Sequence, residues 1–226
     1  MKKAILVLPL LALLPLSAGT WEVGAFIGQQ ALKSGTSTYI GTASTTTYSY
    51  DSDKKTILGL RVGRSLVDLG PVLLSVTAGY QPDTNTRMNF DYTTTGVPVT
   101  TVPGASKLGF RTPAAASINA STADFKSGHY SVGAMFNFKA FISVGAGVEY
   151  RFEKMEIDED KTTYARPWAR VNAGIAIPSP ILKPFIGIEA DFPLASKSLG
   201  INPSSEDILK YLGPKSQIGI YAGIRF

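Results

Sequence analysis

The single histidine of the chain lies two residues from a serine, in the stretch GHYSVG. His129 and Ser131 have the same parity, so an extended backbone places both side chains on one face. If this stretch pairs with the next one around Ala140, Ser131 lies opposite Glu149 and His129 opposite Arg151. A serine, a histidine and a carboxylate in one patch are the groups that nucleophilic hydrolysis uses. The alternative interpretation is a pair of polar residues in a packed polar interior.

Charged residues form a second pattern, because they fall on one side of the alternating stretches described below. These residues are Glu22, Arg61, Glu149, Arg151, Arg170, Glu189, Asp191 and Arg225. A buried charge is tolerated only when it is paired and hydrogen-bonded. The pattern therefore predicts a plug of ion pairs, and the alternative is a gate in which exchange of partners opens a thin water path. No metal-ligand cluster and no cofactor motif occurs in the sequence, so neither a metal nor a cofactor is expected.

Eight stretches of about ten residues alternate apolar and less apolar positions, the period of a β-strand. Each has the length of a tilted transmembrane strand. They read TWEVGAFIGQQ, TILGLRVGRSL, VLLSVTAGYQ, HYSVGAMFNFK, FISVGAGVEYRF, WARVNAGIAI, PFIGIEADF and SQIGIYAGIRF. The apolar faces carry no charge and no amide. The pattern predicts an all-β chain, an eight-stranded antiparallel barrel.

Glycines indicate which face points outward. A soluble barrel of the lipocalin type has its apolar face inside, whereas here twelve glycines lie on the less apolar face, where small residues leave room for long charged side chains inside a narrow barrel. The apolar face is therefore expected to contact lipid. The twelve are Gly24, Gly28, Gly59, Gly63, Gly79, Gly133, Gly145, Gly147, Gly174, Gly187, Gly219 and Gly223.

The connections between these stretches alternate between long and short, as in an up-and-down barrel with long extracellular loops and short periplasmic turns. The longest, residues 82–128, is either an external loop or an extension of the third and fourth strands. Within the last long connection, NPSSEDILKYLG predicts a short helix that is a loop ornament or a lid, with Ser204 or Ser205 as its cap and Gly213 past its end. Pro167 is interpreted as a bulge or as the start of the regular part of the sixth strand.

The first 19 residues have the layout of a cleaved secretory signal peptide. Lys2 and Lys3 precede an apolar run that is too short to span a bilayer, and small residues follow it. Residues 20–226 are then the barrel. The formal charge of +5 includes Lys2 and Lys3, and the remaining excess of 20 basic over 17 acidic residues, +3, is too mild and scattered to favour nucleic acid. The chain has no cysteine, which excludes disulfides and thiol chemistry.

The signal peptide, the eight strands and the terminal stretch GIYAGIRF, ending on Phe226, resemble the small outer-membrane β-barrels of the OmpA/OmpX type. The resemblance implies a location in the outer membrane of a Gram-negative-type cell. It also implies surrounding outer-membrane lipid and lipopolysaccharide, and a last strand that is read by the barrel-assembly machinery during insertion.

The expected role is non-enzymatic: envelope integrity, adhesion or recognition of an unidentified extracellular partner by the long loops. The first alternative is a narrow pore or transporter for small solutes. The second is a lipid A-modifying hydrolase, because the pair His129 and Ser131 resembles the His-x-Ser pair of the outer-membrane lipid A deacylases. In that family the acid follows the serine at closer spacing, where this chain has Ser143, and the triad faces lipid.

Overall fold

The structure is a computed structural model that describes residues 20–40, 44–96, 118–158, 160–177, 179, 181–198 and 205–226. The predicted signal peptide, residues 1–19, lies outside the described residues. In the described part of the chain, no helix is long and apolar enough to cross a bilayer.

Ten strands and one helix make up the described chain. In chain order they are β1 (Trp21–Leu32), β2 (Gly35–Ile40), β3 (Ser44–Ser52), β4 (Lys55–Leu69), β5 (Val72–Gly96), β6 (Ile118–Lys139), β7 (Ser143–Ile157), β8 (Asp160–Ala176), β9 (Lys183–Pro193), α1 (Ser205–Leu212) and β10 (Pro214–Arg225).

Eight of these strands form a closed antiparallel ring in the order β1, β4, β5, β6, β7, β8, β9, β10 and back to β1. They correspond to the eight alternating stretches of the sequence, so the predicted fold class is confirmed: the chain is an eight-stranded up-and-down transmembrane barrel. Each ring strand pairs with the ring strand that precedes it and the one that follows it in the chain, and β1 pairs with β10 to close the ring. No backbone edge is therefore left open within the ring, as hydrocarbon requires.

Side chains on the two faces of the ring have opposite exposure. On β9, Ile188 points outward and is 63% exposed, whereas the next residue, Glu189, points inward and is 1% exposed. On β7, Val148 and Glu149 show the same contrast. The wall therefore presents a continuous apolar belt to its surroundings and keeps its charges inside, as the glycine pattern predicts.

The ring closes where β1 meets β10. Trp21 donates its N–H to the carbonyl of Phe226 at 2.7 Å, and Phe226 donates back to Trp21 at 2.9 Å. Inward-facing glycines are opposite each other in this seam, in the pairs Gly24–Gly223 and Gly28–Gly219. A Cβ atom on Gly219 would overlap the carbonyl oxygen of Ile27, so the two backbones approach this closely only because no side chain intervenes.

Short turns connect the strands at one end of the barrel, here called the inner end. Gly70 and Pro71 join β4 to β5, and residues 140–142 join β6 to β7. Gly70 has φ of 69°, in the left-handed region where glycine carries no steric cost. The long connections lie at the opposite, outer end, which agrees with the alternation seen in the sequence.

The outer end carries a sheet that extends beyond the ring. β5 and β6 continue past the apolar belt and pair with each other as far as Thr93 and Ile118, so residues 82–96 and 118–128 extend the strands, and residues 97–117 lie outside the described chain. The hairpin of β2 and β3 adds to β5 through pairs that run from Ser52–Met88 to Ser44–Gly96. We call β2, β3, residues 88–96 and residues 118–123 the outer sheet. The β2–β3 hairpin was not predicted from the sequence.

Pro167 lies in the interior of β8, so its interpretation as a bulge is wrong, whereas the part of β8 that pairs on both sides begins at the next residue, Trp168. Pro167 pairs with Tyr150 of β7 with no shift of register, and its carbonyl accepts the N–H of Leu194 at 2.8 Å. In an antiparallel strand the N and O atoms of one residue point to the same neighbour. The donor that proline lacks therefore faces β9, where the ladder with β8 ends at Pro193.

The predicted helix is confirmed as α1, and it packs into the barrel mouth. Leu209 and Leu212 are buried among Leu32, Tyr50, Met88, Phe125 and Met155. The helix is therefore an apolar lid on the outer end of the lumen and is not a loop ornament.

Closure of the ring can be tested by filling the seam. We expect Gly219→Val to lower the folded fraction sharply, because its side chain would overlap the β1 backbone. The matched control is Ala222→Val on the same strand, where the side chain points toward lipid. The readout is the fraction of refolded chain that migrates as a heat-modifiable compact form in gel electrophoresis. Equal folding of the two variants would contradict this account of the seam.

Candidate functional site

The middle of the lumen is filled by six charged side chains, three basic and three acidic. Five of them are at most 3% exposed, and the sixth, Arg61, has a side chain that is 16% exposed. They project from β4, β7, β8 and β9, and they are Arg61, Glu149, Arg151, Arg170, Glu189 and Asp191. We call these six residues the ion-pair layer.

Glu189 holds one side of the ion-pair layer. Both terminal nitrogens of Arg61 donate to its carboxylate, at 2.8 and 2.9 Å, and Arg170 donates to the same carboxylate at 3.1 Å. The bidentate geometry of the Arg61 contact is the strongest form of an arginine–carboxylate pair.

Arg151 holds the other side. Its guanidinium donates to Glu149, to Asp191 at 2.5 Å and to the side-chain oxygen of Gln217 at 2.7 Å. Arg170 links the two sides, because it also donates to Glu149 at 3.4 Å. Three guanidinium groups and three carboxylates therefore form one charge-balanced network across the lumen. This is the arrangement that lowers the cost of burying charge in a site of low dielectric constant.

An amide layer lies above the charges, toward the outer end. The side chains of Gln30, Gln81 and Gln217 are all buried. Gln217 donates to Gln30 and to Gln81, each at 3.0 Å, and Gln81 donates to Gln30 at 3.1 Å. Gln30 in turn donates to Ser127 at 3.2 Å, and Lys55 donates to the same hydroxyl at 2.7 Å.

The apolar lid around α1 lies beyond the amide layer. Tyr50 of β3 donates a hydrogen bond to the hydroxyl of Tyr211 on the helix. Burial raises the pKa of the Tyr50 hydroxyl, and the bond to Tyr211 raises it further, so this contact stays neutral. The lumen is therefore closed in the outer direction by three successive layers: charges, amides and apolar side chains.

Below the charges, toward the inner end, the lumen is more open. A cavity of about 140 Å³ lies between the ion-pair layer and the inner rim. Its lining includes Ser75, Thr77, Asn137, Asn172 and Tyr221. At the rim, Arg225 donates to Glu22 at 2.6 Å. A polar cavity of this size has room for several ordered waters. A smaller cavity of about 30 Å³ shares the lining residues Arg61 and Tyr221 with it and extends beside the charges to Gln81 and Gln217 of the amide layer.

All eight charged residues that the sequence singled out point into the lumen. Six of them meet in the ion-pair layer, whereas Glu22 and Arg225 form a separate pair at the rim. Whether this network acts in gating stays a prediction.

Sequence reasoning missed a further ion pair, Arg166 with Glu153, at 2.7 Å. The fully buried Trp168 lies between this pair and the ion-pair layer, and the centroid of its ring is 4.0 Å from the Cζ atom of Arg151. The amide layer was also missed. Residue parity on the predicted strands was the available signal for the amide layer, whereas Glu153 and Arg166 lie just beyond the ends of the predicted stretches.

The predicted register between β6 and β7 is wrong by two residues. Ser131 pairs with Arg151, and His129 pairs with Glu153. The turn takes three residues, 140–142, and the last pair is Lys139 with Ser143, so the hairpin is centred on Phe141 and not on Ala140.

A shift of two residues preserves parity, and Ser131 still points inward and is buried. Within the described residues, no hydrogen bond joins Ser131 to His129 or joins either of them to a carboxylate. Ser131 and His129 therefore lie on the same strand, β6, and they form no hydrogen-bonded Ser-His-carboxylate triad within the described residues.

The ion-pair layer can be tested by removing one carboxylate. We expect Glu149→Gln to lower the free energy of unfolding by about 3 kcal/mol, because two buried guanidinium groups lose a charged partner. The matched control is Glu22→Gln at the water-accessible rim, where we expect a loss of about 1 kcal/mol or less. The measurement is urea-induced unfolding of the refolded barrel in lipid vesicles. Similar losses for the two variants would mean that the layer is hydrated and not buried.

No protein-family model matches the chain, and no curated protein matches it in sequence. Among solved structures, the Neisserial surface protein A is 11% identical, with a TM-score of 0.43, over 92% of this chain and 94% of that chain. The attachment invasion locus protein Ail of Yersinia pestis, in complex with the heparin analogue sucrose octasulfate, is 14% identical, with a TM-score of 0.39, over 92% of this chain and 99% of that chain.

The outer-membrane protease OmpT of Escherichia coli is 12% identical, with a TM-score of 0.39, over 90% of this chain and 95% of that chain. These values describe a distant likeness of fold. On its own closed ring and lipid-facing belt, the chain has the architecture of the small outer-membrane β-barrels.

Proposed function

We propose that the chain is a non-enzymatic outer-membrane protein whose rigid barrel anchors an extracellular recognition surface. In this proposal the outer end faces the cell exterior and the inner end faces the periplasm. The outer sheet is the recognition surface, and the observation that carries the proposal is its projection beyond a barrel whose lumen is closed.

The reach of the outer sheet supports this role. Residues 88–96 of β5 pair with β3 on one side, and β6 pairs with them on the other as far as residue 93. Nine residues of extended chain span about 30 Å. A hydrogen-bonded sheet of this length holds its side chains in fixed positions, and fixed positions favour selective contact because less conformational entropy is lost on binding.

The composition of the outer sheet also supports it. Among the side chains of this sheet that the structure describes, the exposed ones are small and polar or acidic: Thr36, Thr38, Asp51, Asn89, Asp91, Ser121 and Thr122. They offer hydrogen-bonding groups to a partner.

The edge of the outer sheet adds a second means of contact. Among the described strands, β2 pairs only with β3, and no described strand pairs with its other edge. Natural edge strands are usually protected by lysine, proline or a bulge. β2 reads GTSTYI and has neither of those residues, so an extended segment of a partner can add to it by strand pairing.

The interior argues against transport as the main role. The ion-pair layer, the amide layer and the apolar lid lie in series, and a solute would have to displace all three. Barrels of eight strands are just wide enough to be filled by their own side chains.

The proposal can be tested by removing the hairpin. Replacement of residues 35–49 by a short Gly-Ser linker deletes β2 and most of β3 and leaves every ring strand and Tyr50 of the apolar lid intact. We expect cells that display this variant to bind immobilised extracellular-matrix proteins several-fold less than cells that display the full chain.

The matched control replaces the inner-end turn residues 140–142 with a Gly-Ser turn, which leaves the outer sheet unchanged. Heat-modifiable gel mobility confirms that both variants are folded. Undiminished binding without the hairpin, or no binding by the full chain to any tested matrix protein, would contradict recognition through the outer sheet.

A further inference from the structure

An aromatic row crosses the lipid-facing wall at the outer edge of the apolar belt. Tyr80 pairs with Tyr130, and Tyr130 pairs with Phe152, so the three residues occupy one register row on β5, β6 and β7. All three are exposed. The rings of Tyr80 and Tyr130 are stacked, with centroids 4.9 Å apart. We call these three residues the aromatic row.

Lysines begin directly above the aromatic row. Lys154 is the next outward-facing residue of β7 after Phe152, and its Nζ atom is 5.8 Å from the centroid of the Tyr130 ring. Lys126 is outward-facing on β6 and pairs with Glu156, the residue two positions beyond Lys154. Lys126 and Lys154 are therefore diagonal neighbours on adjacent strands, about 7 to 8 Å apart at the backbone.

These two lysines line a groove of about 410 Å³ on the outside of the barrel. The other charged residues of the groove are Asp83, Glu156 and Lys161, and Lys161 pairs with Glu156 at 3.3 Å. In the described part of the chain, no carboxylate lies within ion-pairing distance of Lys126 or Lys154. The groove thus has two ammonium groups available, with Lys126 two residues farther out along the strands than Lys154 and with Asp83 on its β5 side.

The opposite sector of the wall lacks this arrangement. The register row of Tyr80 continues through Leu60, Ala25 and Ala222 on β4, β1 and β10. Past the belt, the first polar outward-facing residues of those three strands are uncharged: Thr56, Gln29 and Ser216. A uniform girdle would repeat the aromatic row around the barrel, whereas the described residues of the same register row on β4, β1 and β10 are aliphatic.

The position of this sector relative to the apolar belt indicates which part of the lipid it contacts. A side chain just above the lipid-facing belt lies among lipid headgroups. A lysine there attracts anionic lipid with a contribution that falls off within a Debye length. Ammonium groups bind phosphate as point charges, and tyrosine rings pack well where one end is apolar and the other is wet.

We propose that the wall of β5 to β8 binds the phosphorylated headgroup of an outer-leaflet lipid, with Lys126 and Lys154 as phosphate ligands. The aromatic row packs against the part of the same lipid that lies below the phosphate. This site does not depend on the recognition role of the outer sheet, because it lies on the lipid-facing wall and uses different residues.

The test measures lipid retained by the full mature chain in mild detergent, by native mass spectrometry, with bisphosphorylated lipid A as the probe. We expect the double variant Lys126→Gln, Lys154→Gln to lose affinity on the order of tenfold. We expect Lys154→Arg to retain lipid, because the charge is kept. The matched control is Lys215→Gln, an exposed lysine on β10, and it should retain lipid as the unmodified chain does.

Two further arms distinguish the source of the phosphate. Lipid A from which the phosphates have been removed should bind as weakly to the unmodified chain as intact lipid A binds to the double variant. Inorganic phosphate at millimolar concentration should not displace intact lipid A. Equal retention by the double variant, equal binding of the dephosphorylated lipid, or full displacement by inorganic phosphate would each overturn the proposal. Heat-modifiable mobility confirms that every variant is folded.

Discussion

The structure depends on one constraint: within hydrocarbon, every backbone N–H and C=O must find a partner inside the protein. A sheet meets this constraint only when it closes, so β1 must pair with β10. The seam places backbone against backbone, and inward-facing glycines permit that approach. Once eight strands close, the lumen is narrow, and every inward-facing side chain has to share it. The charges inside the barrel are thus a consequence of closure as well as of composition.

The layered lumen follows from that confinement. Arginine and carboxylate side chains that face each other across a narrow interior have little water to solvate them, and they become compatible with burial only as a balanced network. The amide layer satisfies the hydrogen bonds of the next level, and the apolar lid excludes water from the outer end. Each layer rigidifies the wall that bears it. The outer sheet is therefore attached to a rigid barrel. In the proposed function, the membrane anchor and the recognition surface lie at different levels along the barrel axis.

The ring was predictable from the sequence because its residues are under two simultaneous constraints. Each outward position must suit lipid and each inward position must be small or paired, so strict alternation marks every ring strand. Parity alone also placed all eight singled-out charges in the lumen. The register between neighbouring strands could not be derived from parity. The number of residues in the turn after Lys139 shifts the β6–β7 pairing by two residues, and such a shift leaves the parity of every residue unchanged.

Elements outside the bilayer were harder to predict. β2 and β3 are rich in serine and threonine, so their two faces differ little and show no alternation. Their stability comes from addition to β5, which the local sequence does not reveal. The helix α1 was recognisable from its capping pattern, but the burial of Leu209 and Leu212 depends on Met88, Phe125 and Met155, which are distant in sequence. A bulge was predicted at Pro167 because proline has no backbone N–H to donate. The β8–β9 ladder ends beside this residue, so no ladder hydrogen bond is lost there.

The measurement that tests the central claim most directly is single-channel recording of the refolded mature chain in a planar bilayer, with insertion verified independently. A lumen closed by three layers predicts no discrete conductance steps, either for the unmodified chain or after Gly-Ser replacement of the β2–β3 hairpin. Discrete steps whose size changes when Arg170 or Glu149 is neutralised would contradict the account. They would show that the ion-pair layer is a gate in a continuous water path.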